Sequence, residues 1–364
     1  MENFDISSLA SIKIYDSNQR ELPIVEGFPA SKKVKEETYR IQNSTAYHIA
    51  INEKNWILMQ VIDLKMSIMV VTDYIIENKM TLHSVSNSPI LELYATFYGG
   101  AHIHLKKSAI QSAFEGNFNL YTAPTEANIV TIDRKIRTVD HHFAPGFLER
   151  YSKKFPALKK IIQAHQNGQT ASLNKTSRVM SLKSAYLTHC LINKINNDTI
   201  KDDDKYKAVK NIIKSFLRDT IDNTPTILEA RLSDQHIKAI AYTFNHVEEY
   251  LENSYNMQDL AALANQIIYT TEAQIRKACK LLFNLPPMQY IRKIKMHVAK
   301  KMIRRGEKES VIAAQLGFKT LSHFETAFKS VYKMSPKQYR LSVAHKKTKR
   351  IKNQSDTMEN QKTE

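Results

Sequence analysis

In the last third of this 364-residue chain one segment occurs twice. Residues 278–290, Ala-Cys-Lys-Leu-Leu-Phe-Asn-Leu-Pro-Pro-Met-Gln-Tyr, return at 327–339 as Ala-Phe-Lys-Ser-Val-Tyr-Lys-Met-Ser-Pro-Lys-Gln-Tyr, each position 49 residues later. Self-similarity at a fixed offset calls for two copies of one supersecondary unit. In each copy four apolar residues fall at i, i+3, i+4 and i+7, which makes one buried stripe on a helix. They are Ile275, Ala278, Cys279 and Leu282 in the first, and Phe324, Ala327, Phe328 and Val331 in the second. A shorter apolar helix precedes each. The first runs from Met257 to about Asn265 with Asn256 as N-cap; the second covers about 310–316 and stops at Gly317. Gly317 suits the left-handed residue of a tight helix end, Phe318 can plug the core behind it, and Thr320 offers the next N-cap. Helix, short turn, helix is therefore expected twice.

A basic amphipathic segment, Met288 to about Arg304, joins the copies. Tyr290, Ile291, Ile294, Val298 and Met302 form its apolar side; Arg292, Lys293, Lys295, Lys300 and Lys301 form its polar side. A helix of about 16 residues spans roughly 24 Å, enough to hold two reading helices about one duplex turn apart. Charge points to the same partner. The chain carries 53 Lys+Arg against 36 Asp+Glu, a net +17. Residues 241–364 hold +11 of that surplus and residues 1–240 only +6. A basic C-terminal third favours a polyanion, and the repeat narrows this to double-stranded DNA.

The face opposite Ile275 and Cys279 presents Ala273, Arg276, Lys277 and Lys280. Arginine can fork onto guanine O6 and N7, a contact worth about 1–3 kcal/mol of discrimination. On the second helix Leu321, Ser322, Glu325 and Thr326 are the outward candidates, with His323 at the edge. Lys280, Lys329 and Lys337 suit phosphate, as does the helix N-terminus at Thr320. Phe324 and Phe328 are expected in the core.

The remainder divides by texture. Up to about residue 145, β-branched and aromatic runs alternate with turn residues: 57–62, 68–71, 90–98, 127–132 and 136–143, with breaks at Asn87-Ser88-Pro89, Gly99-Gly100 and Glu115-Gly116-Asn117. This reads as a small β-barrel or sandwich, cupin-like, so the chain is α+β with an all-α C-terminal region. Helical spacing begins after Pro145-Gly146 and continues through 147–162, 181–195 and 206–217, the last behind an acidic loop at Asp202–Asp204. The expected division is a sensor at 1–145, a helical connector at 146–235, a reader at 240–342 and a disordered basic tail at 343–364. Two cysteines, Cys190 and Cys279, make no disulfide framework, and the start of the chain shows no signal peptide; a cytoplasmic protein without membrane segments is expected.

His102 and His104 alternate on one strand and His141-His142 lie on a later one, which raises a metal-dependent barrel enzyme fused to a DNA anchor as a rival. Lys106-Lys107 follow where a metal-bearing barrel would place a carboxylate, so neither metal nor cofactor is expected. A small-molecule pocket is the better reading of the sensor, with Trp56, Tyr94, Phe97 and Tyr121 as core residues that could also line it. Cys190 lies beside His189 on a helical run, and adjacent residues cannot face one side of a helix, so no nucleophilic pair is expected and the chain is not read as an enzyme. A nonspecific architectural DNA binder is the second rival.

Gly317-Phe318-x-x-x-Ser322-His323-Phe324-x-x-x-Phe328-Lys329, with Ser335-Pro336 and Tyr339-Arg340, resembles the signature of AraC/XylS-family transcriptional regulators. The resemblance covers about 240–340, and the joining segment Tyr290–Met296 with Ala299 and Met302-Ile303 is similar to the family's inter-unit helix. Upstream, 119–124 and 143–158 are similar to the sensor of a siderophore-responsive subgroup. The resemblance implies an effector-binding sensor able to form a homodimer, contact with RNA polymerase, and Arg276 and Lys277 at positions that reach the major groove. Activation is the family's common outcome; the residues leave the sign open. Four features depart from the pattern. The turn at 265–271 lacks the usual glycine and is longer, Cys279 replaces Phe, Glu309 replaces an apolar residue, and Thr326 stands where Arg is frequent.

Overall fold

The computed structural model describes residues 12–64, 67–86, 89–104, 111–123, 128–132, 135–221, 237, 240–241 and 272–343. The chain forms two compact units, 1–241 and 242–364.

The first unit is built on two antiparallel sheets. Its strands are β1 (Lys13–Tyr15), β2 (Glu21–Leu22), β3 (Val25–Glu26), β4 (Thr45–Ala50), β5 (Trp56–Asp63), β6 (Ser67–Ile75), β7 (Met80–Val85), β8 (Ile90–Tyr98), β9 (Gly100–His104), β10 (Gln111–Phe114), β11 (Asn117–Ala123), β12 (Asn128–Ile132), β13 (Ile136–Phe143), β14 (Ala171–Ser172) and β15 (Arg178–Val179). One sheet has the order β10-β9-β12-β7-β1-β2; the other has β14-β11-β8-β13-β6-β5-β4-β3, with β15 also on β11. Among the described strands neither order closes on itself, so of the two expected forms, small barrel or sandwich, the sandwich is the one present. A single core joins them: Ile14, Leu22, Leu82, Ala101 and Ala113 from the first sheet meet Ile49, Ile57, Tyr94, Tyr121 and Ile136 from the second. The chain changes sheets at Gly99. Its φ is +75°, and a Cβ there would lie 2.0 Å from the Lys135 carbonyl oxygen, so only glycine can make this crossing.

The larger sheet is covered on both sides. Its strand β6 is buried along its whole length except at Tyr74, which explains why its sequence is apolar without alternation. The second face carries helices α2 (Pro145–Ser152), α3 (Ala157–Gln166), α4 (Leu182–Asn196) and α5 (Asp202–Asp219); the short α1 (Lys32–Glu37) precedes them in the chain. Rings make the contact: Phe143 on Phe147 at 5.4 Å, Phe118 on Phe216 at 4.9 Å and Phe97 edge-on to His189 at 5.0 Å. The helices of the expected connector thus pack on the sheet, inside the first unit. Their termini follow local rules. Ser181 caps α4 by accepting the Ser184 N–H, and Asp219 at the end of α5 accepts from the Ser181 N–H at 2.9 Å and the Ser184 hydroxyl at 2.6 Å. Asp202, Asp203 and Asp204, expected as a loop, form the first turn of α5, where the helix dipole favours anions.

The second unit contains α6 (Glu272–Phe283), α7 (Pro287–Arg305), α8 (Glu309–Gln315), α9 (Leu321–Tyr332) and α10 at 336–343. The expected first helix of the first repeat (257–265), its N-cap Asn256, the turn at 265–271 and the tail beyond 343 lie outside the described residues.

Candidate nucleic-acid interface

The 49-residue repeat is a repeat of geometry. Helices α6 and α9 each end on a non-glycine residue in the left-handed region, Asn284 (φ 54°) and Lys333 (φ 60°), at equivalent positions. In each, that residue's N–H donates four residues back, to the carbonyls of Lys280 and Lys329, which are themselves equivalent. Pro287 and Pro336 then open α7 and α10. Tyr290 stacks on Phe283 at 3.7 Å, and its counterpart Tyr339 lies over Tyr332 at 6.4 Å. Of the shared residues, the Pro and the Tyr are the ones whose side chains this turn and its lock use.

The turn between α8 and α9 is the second constraint. Gly317, at φ +68°, donates its N–H to Ala314, and the Phe318 N–H donates to Ala313, the paired bonds of a Schellman end. Phe318 packs against Phe324 at 5.6 Å. Lys295 of α7 donates to the Leu316 carbonyl at 2.6 Å and lies over the Phe318 ring, and burial lowers its pKa. Lys295 therefore caps α8 instead of standing on an outer polar face. Lys300 is likewise drawn in, over the rings of Tyr332 and Tyr339. Arg304 donates to the Tyr339 hydroxyl at 2.7 Å. Helix α7, 19 residues or about 28 Å long, is thus tied to the second repeat by three of its own cations.

Glu309 gains a reason from the fold. Arg340 pairs with it at 3.0 Å and also donates to the Glu307 carbonyl. Burial acts to raise the Glu309 carboxyl, but the hydrogen bonds from Arg340 and its own backbone N–H, together with the charges of Arg340 and Lys337, outweigh this and hold it below its ordinary range. An ion pair with the Arg of Tyr339-Arg340 thus accounts for a carboxylate at this position.

On α6, Ala273, Arg276, Lys277 and Lys280 are exposed while Ala278 and Cys279 are fully buried. Burial pushes the Cys279 thiol up to about 12, so it behaves as a small apolar side chain. On α9, Ser322, His323, Glu325, Thr326 and Lys329 are exposed, and Leu321 presents 41% of its surface to solvent. Phe324, Ala327 and Phe328 are buried beneath them. Thr320 caps α9: its hydroxyl accepts the His323 N–H at 3.2 Å. The hydroxyl is therefore already engaged, and the helix end offers an anion the N–H groups of Leu321 and Ser322.

Residues 266–342, which include both copies of the repeat, match a family model described as "Helix-turn-helix domain". This segment is an AraC-type helix-turn-helix domain. The chain is similar to the probable transcriptional regulator LumQ of Photobacterium leiognathi, 28% identical over 100 residues, or 27% of this chain and 39% of that protein. It is also similar to an uncharacterised HTH-type transcriptional regulator of Haemophilus influenzae, 26% identical over 94 residues, 26% of this chain and 30% of that one. These matches thus span well under half of each relative. Among solved structures, the AraC-like transcriptional activator CuxR aligns over 77% of this chain and 87% of its own, at 9% identity and a TM-score of 0.34. ToxT from Vibrio cholerae O395 aligns over 76% of this chain and 98% of its own, at 15% identity and 0.27. Likeness at that level leaves the fold to be described from this chain itself.

Outside the AraC-type domain, the four histidines do not form one set. His102 and His104 lie on β9 of the smaller sheet; His102 is exposed, edge-on to Phe114 at 5.0 Å. His141 and His142 are consecutive on β13 and so point to opposite faces. Burial holds His141 down at about 3 and His142 at about 4, both neutral imidazoles. Among the described residues no three histidine, cysteine or carboxylate side chains gather as a metal site. Tyr94, Phe97 and Tyr121 are buried, Tyr94 and Tyr121 between the sheets and Phe97 beneath α4; Trp56 is half-buried against Val34, Leu58 and Ile75. Cys190 is buried in α4. No described helix is long and apolar enough to cross a membrane.

Proposed function

We propose that the chain is an effector-responsive, sequence-specific transcription regulator that docks α6 and α9 in successive major grooves of one duplex. The observation that carries this reading is the repeat: two helices with the same terminal geometry, joined by a helix of about 28 Å and each presenting a polar, exposed face. Arg276 reads a base edge and Lys277 assists it. Ala273 allows close approach, while Lys280 and Lys329 hold phosphate. On α9, Leu321, Ser322, His323, Glu325 and Thr326 face the groove. Leu321 meets a thymine methyl, Glu325 accepts from cytosine N4, and the N-terminus at Thr320 binds phosphate through its remaining N–H groups.

The sandwich of residues 1–145, with the helices of 146–235 packed on it, serves as the sensor. Effector binding or homodimer formation there changes how residues 240–342 meet DNA and, through them, RNA polymerase. The chain acts in the cytoplasm and catalyses no reaction in this account, and activation is the outcome it favours.

Competition between a selected genomic fragment and random duplex at about 150 mM salt tests the specificity, because backbone-only binding leaves no ratio between them. Arg276→Ala should relax preference at a few base pairs. Lys329→Ala should weaken every sequence alike and reduce the log–log salt slope by about 0.9. Equal losses on all sequences for both variants would refute the assignment of readers.

A further inference from the structure

The inner face of the larger sheet carries an unusual set of side chains. Glu92, Tyr94 and Thr96 alternate on β8, Asn119 and Tyr121 on β11, and Thr138, Asp140 and His142 on β13, so all eight point toward the smaller sheet. The register brings them together. Glu92 lies between Tyr121 and His142, Tyr94 between Asn119 and Asp140, and Thr96 opposite Thr138. Glu92 and Asp140 are then diagonal neighbours, about 7 Å apart at Cβ.

Hydrogen bonds hold the carboxylates but do not neutralise them. The Tyr121 hydroxyl donates to Glu92, and the Thr138 hydroxyl donates to Asp140 at 2.7 Å. Among the described residues no lysine or arginine reaches either one; the nearest base is His142, 3.9 Å from Glu92 and neutral. On the opposite face a buried carboxylate is paired with a cation: Asp73 is fully buried and Arg137 sits on it at 2.7 Å. Among the described residues the inner face holds no such cation, and burial raises both carboxyls, Glu92 to about 7. Two further features suit a guest. The rings of Tyr94 and Tyr121 meet at 5.9 Å and a tilt of 59°, and the hydroxyl of Thr96, a fully buried residue, has no hydrogen-bond partner. Glu92 keeps 13% of its side chain exposed, so the face is not sealed.

We propose that this face binds a small organic cation, with an ammonium group between Glu92 and Asp140, its carbon atoms on the rings of Tyr94 and Tyr121, and the Thr96 hydroxyl as a further acceptor. A desolvated cation over a tyrosine face and beside a carboxylate gains from both. The inference rests on reading the first unit as the sensor and names the chemical class of its effector.

Calorimetric titration of the full chain tests it, with 1,4-diaminobutane and tetramethylammonium as probes and butanoate as an anionic control, all at matched ionic strength. At least one of the two cations should bind saturably. At pH 6 it should release protons, seen as a difference between buffers of unlike ionisation heat, because the carboxyls ionise as the cation enters. Glu92→Gln and Asp140→Asn should each weaken binding at least tenfold, and Arg276→Ala should leave it unchanged. Should the carboxyl variants unfold, Thr96→Val should still cost several-fold in affinity. No binding of either cation, or equal binding by every variant, would overturn the proposal. Repeating the DNA competition with the probe separates this from the sensor reading. Cation binding that leaves DNA affinity unmoved keeps the site and refutes the sensor. A butanoate effect on DNA affinity that survives in both carboxyl variants keeps the sensor and refutes the cation.

Discussion

Phe328→Ala should destabilise the second unit and leave the stability of the first unchanged. Phe328 is fully buried, with the rings of Phe324, Tyr332 and Tyr339 at 5.9, 4.8 and 5.9 Å. A buried phenylalanine removes about 150–250 Å² from water, which at ~25 cal/mol per Å² sets an upper transfer term of about 4–6 kcal/mol. Measured Phe→Ala losses of about 3–5 kcal/mol agree, and for a domain of this size they translate into a fall in melting temperature of about 12 °C or more. Such a loss consumes much of the about 5–15 kcal/mol that stabilises an ordinary domain. The chain supplies its own control, because its single tryptophan, Trp56, lies on β5 in the first unit. Urea unfolding followed by far-ultraviolet circular dichroism should show a helical transition at lower denaturant in the variant. The tryptophan fluorescence transition should stay where it was. Phe328→Leu should cost about 1 kcal/mol in the same helical transition. If fluorescence and dichroism shifted together, or neither moved, the packing account of the reader would be wrong.

Three other outcomes follow from the same structure. Asp219→Ala should destabilise the first unit by about 2–3 kcal/mol, seen in the Trp56 transition, because the Ser181 N–H and the Ser184 hydroxyl lose a charged acceptor in a buried setting. Gly317→Ala should cost about 1–2 kcal/mol in the helical transition. A methyl there would sit 3.7 Å from the Lys295 amine, an ordinary contact, so the penalty is that of an L-residue at φ +68°. Stability should also depend on pH through Glu92, whose folded pKa of about 7 exceeds its ordinary 4.5. Between those values the folded chain keeps a proton that the unfolded chain releases, so stability falls as pH rises from about 4.5 to 7 and then levels. The facing groups matter: Asp140, also raised, acts in the same sense; His142, and His141 behind it, held neutral, act in the opposite sense on the way up to about 6.5; and Tyr74, Tyr94 and Tyr121 titrate only at alkaline pH. The readout is therefore the difference between wild type and Glu92→Gln, which should grow by on the order of 1–3 kcal/mol across that window in favour of the variant. A constant difference would refute the assignment.

The helices and long strands were legible because each carries a periodicity of its own. The runs at 57–62, 90–98 and 136–143 lie within β5, β8 and β13, and the Gly317 turn follows from its glycine and flanking rings. The short strands β1, β2, β3, β14 and β15 have two or three residues each, too few for any period to show. The helical run at 147–162 proved to be two helices, because Pro156 precedes the start of α3. Asp202–Asp204 looked like a loop because three acids suggest solvent, whereas a helix N-terminus wants them. The polar side of α7 was misjudged for Lys295 and Lys300, since sequence spacing shows a direction but not the carbonyl or ring that awaits a long side chain. The carboxylate face escaped because β8 and β11 are buried on both sides, so Glu92-x-Tyr94-x-Thr96 and Asn119-x-Tyr121 are masked by the apolar residues between them. Reading those strands at alternate positions beside Asp140-x-His142 would have exposed it.

Methylation interference at guanine N7 on a selected duplex tests the central claim most directly. Two reading helices in successive major grooves predict two clusters of interfering guanines about 10 base pairs apart on one side of the duplex, with one cluster lost in Arg276→Ala and the other retained. A single cluster, or a pattern that Arg276→Ala leaves unchanged, would contradict it.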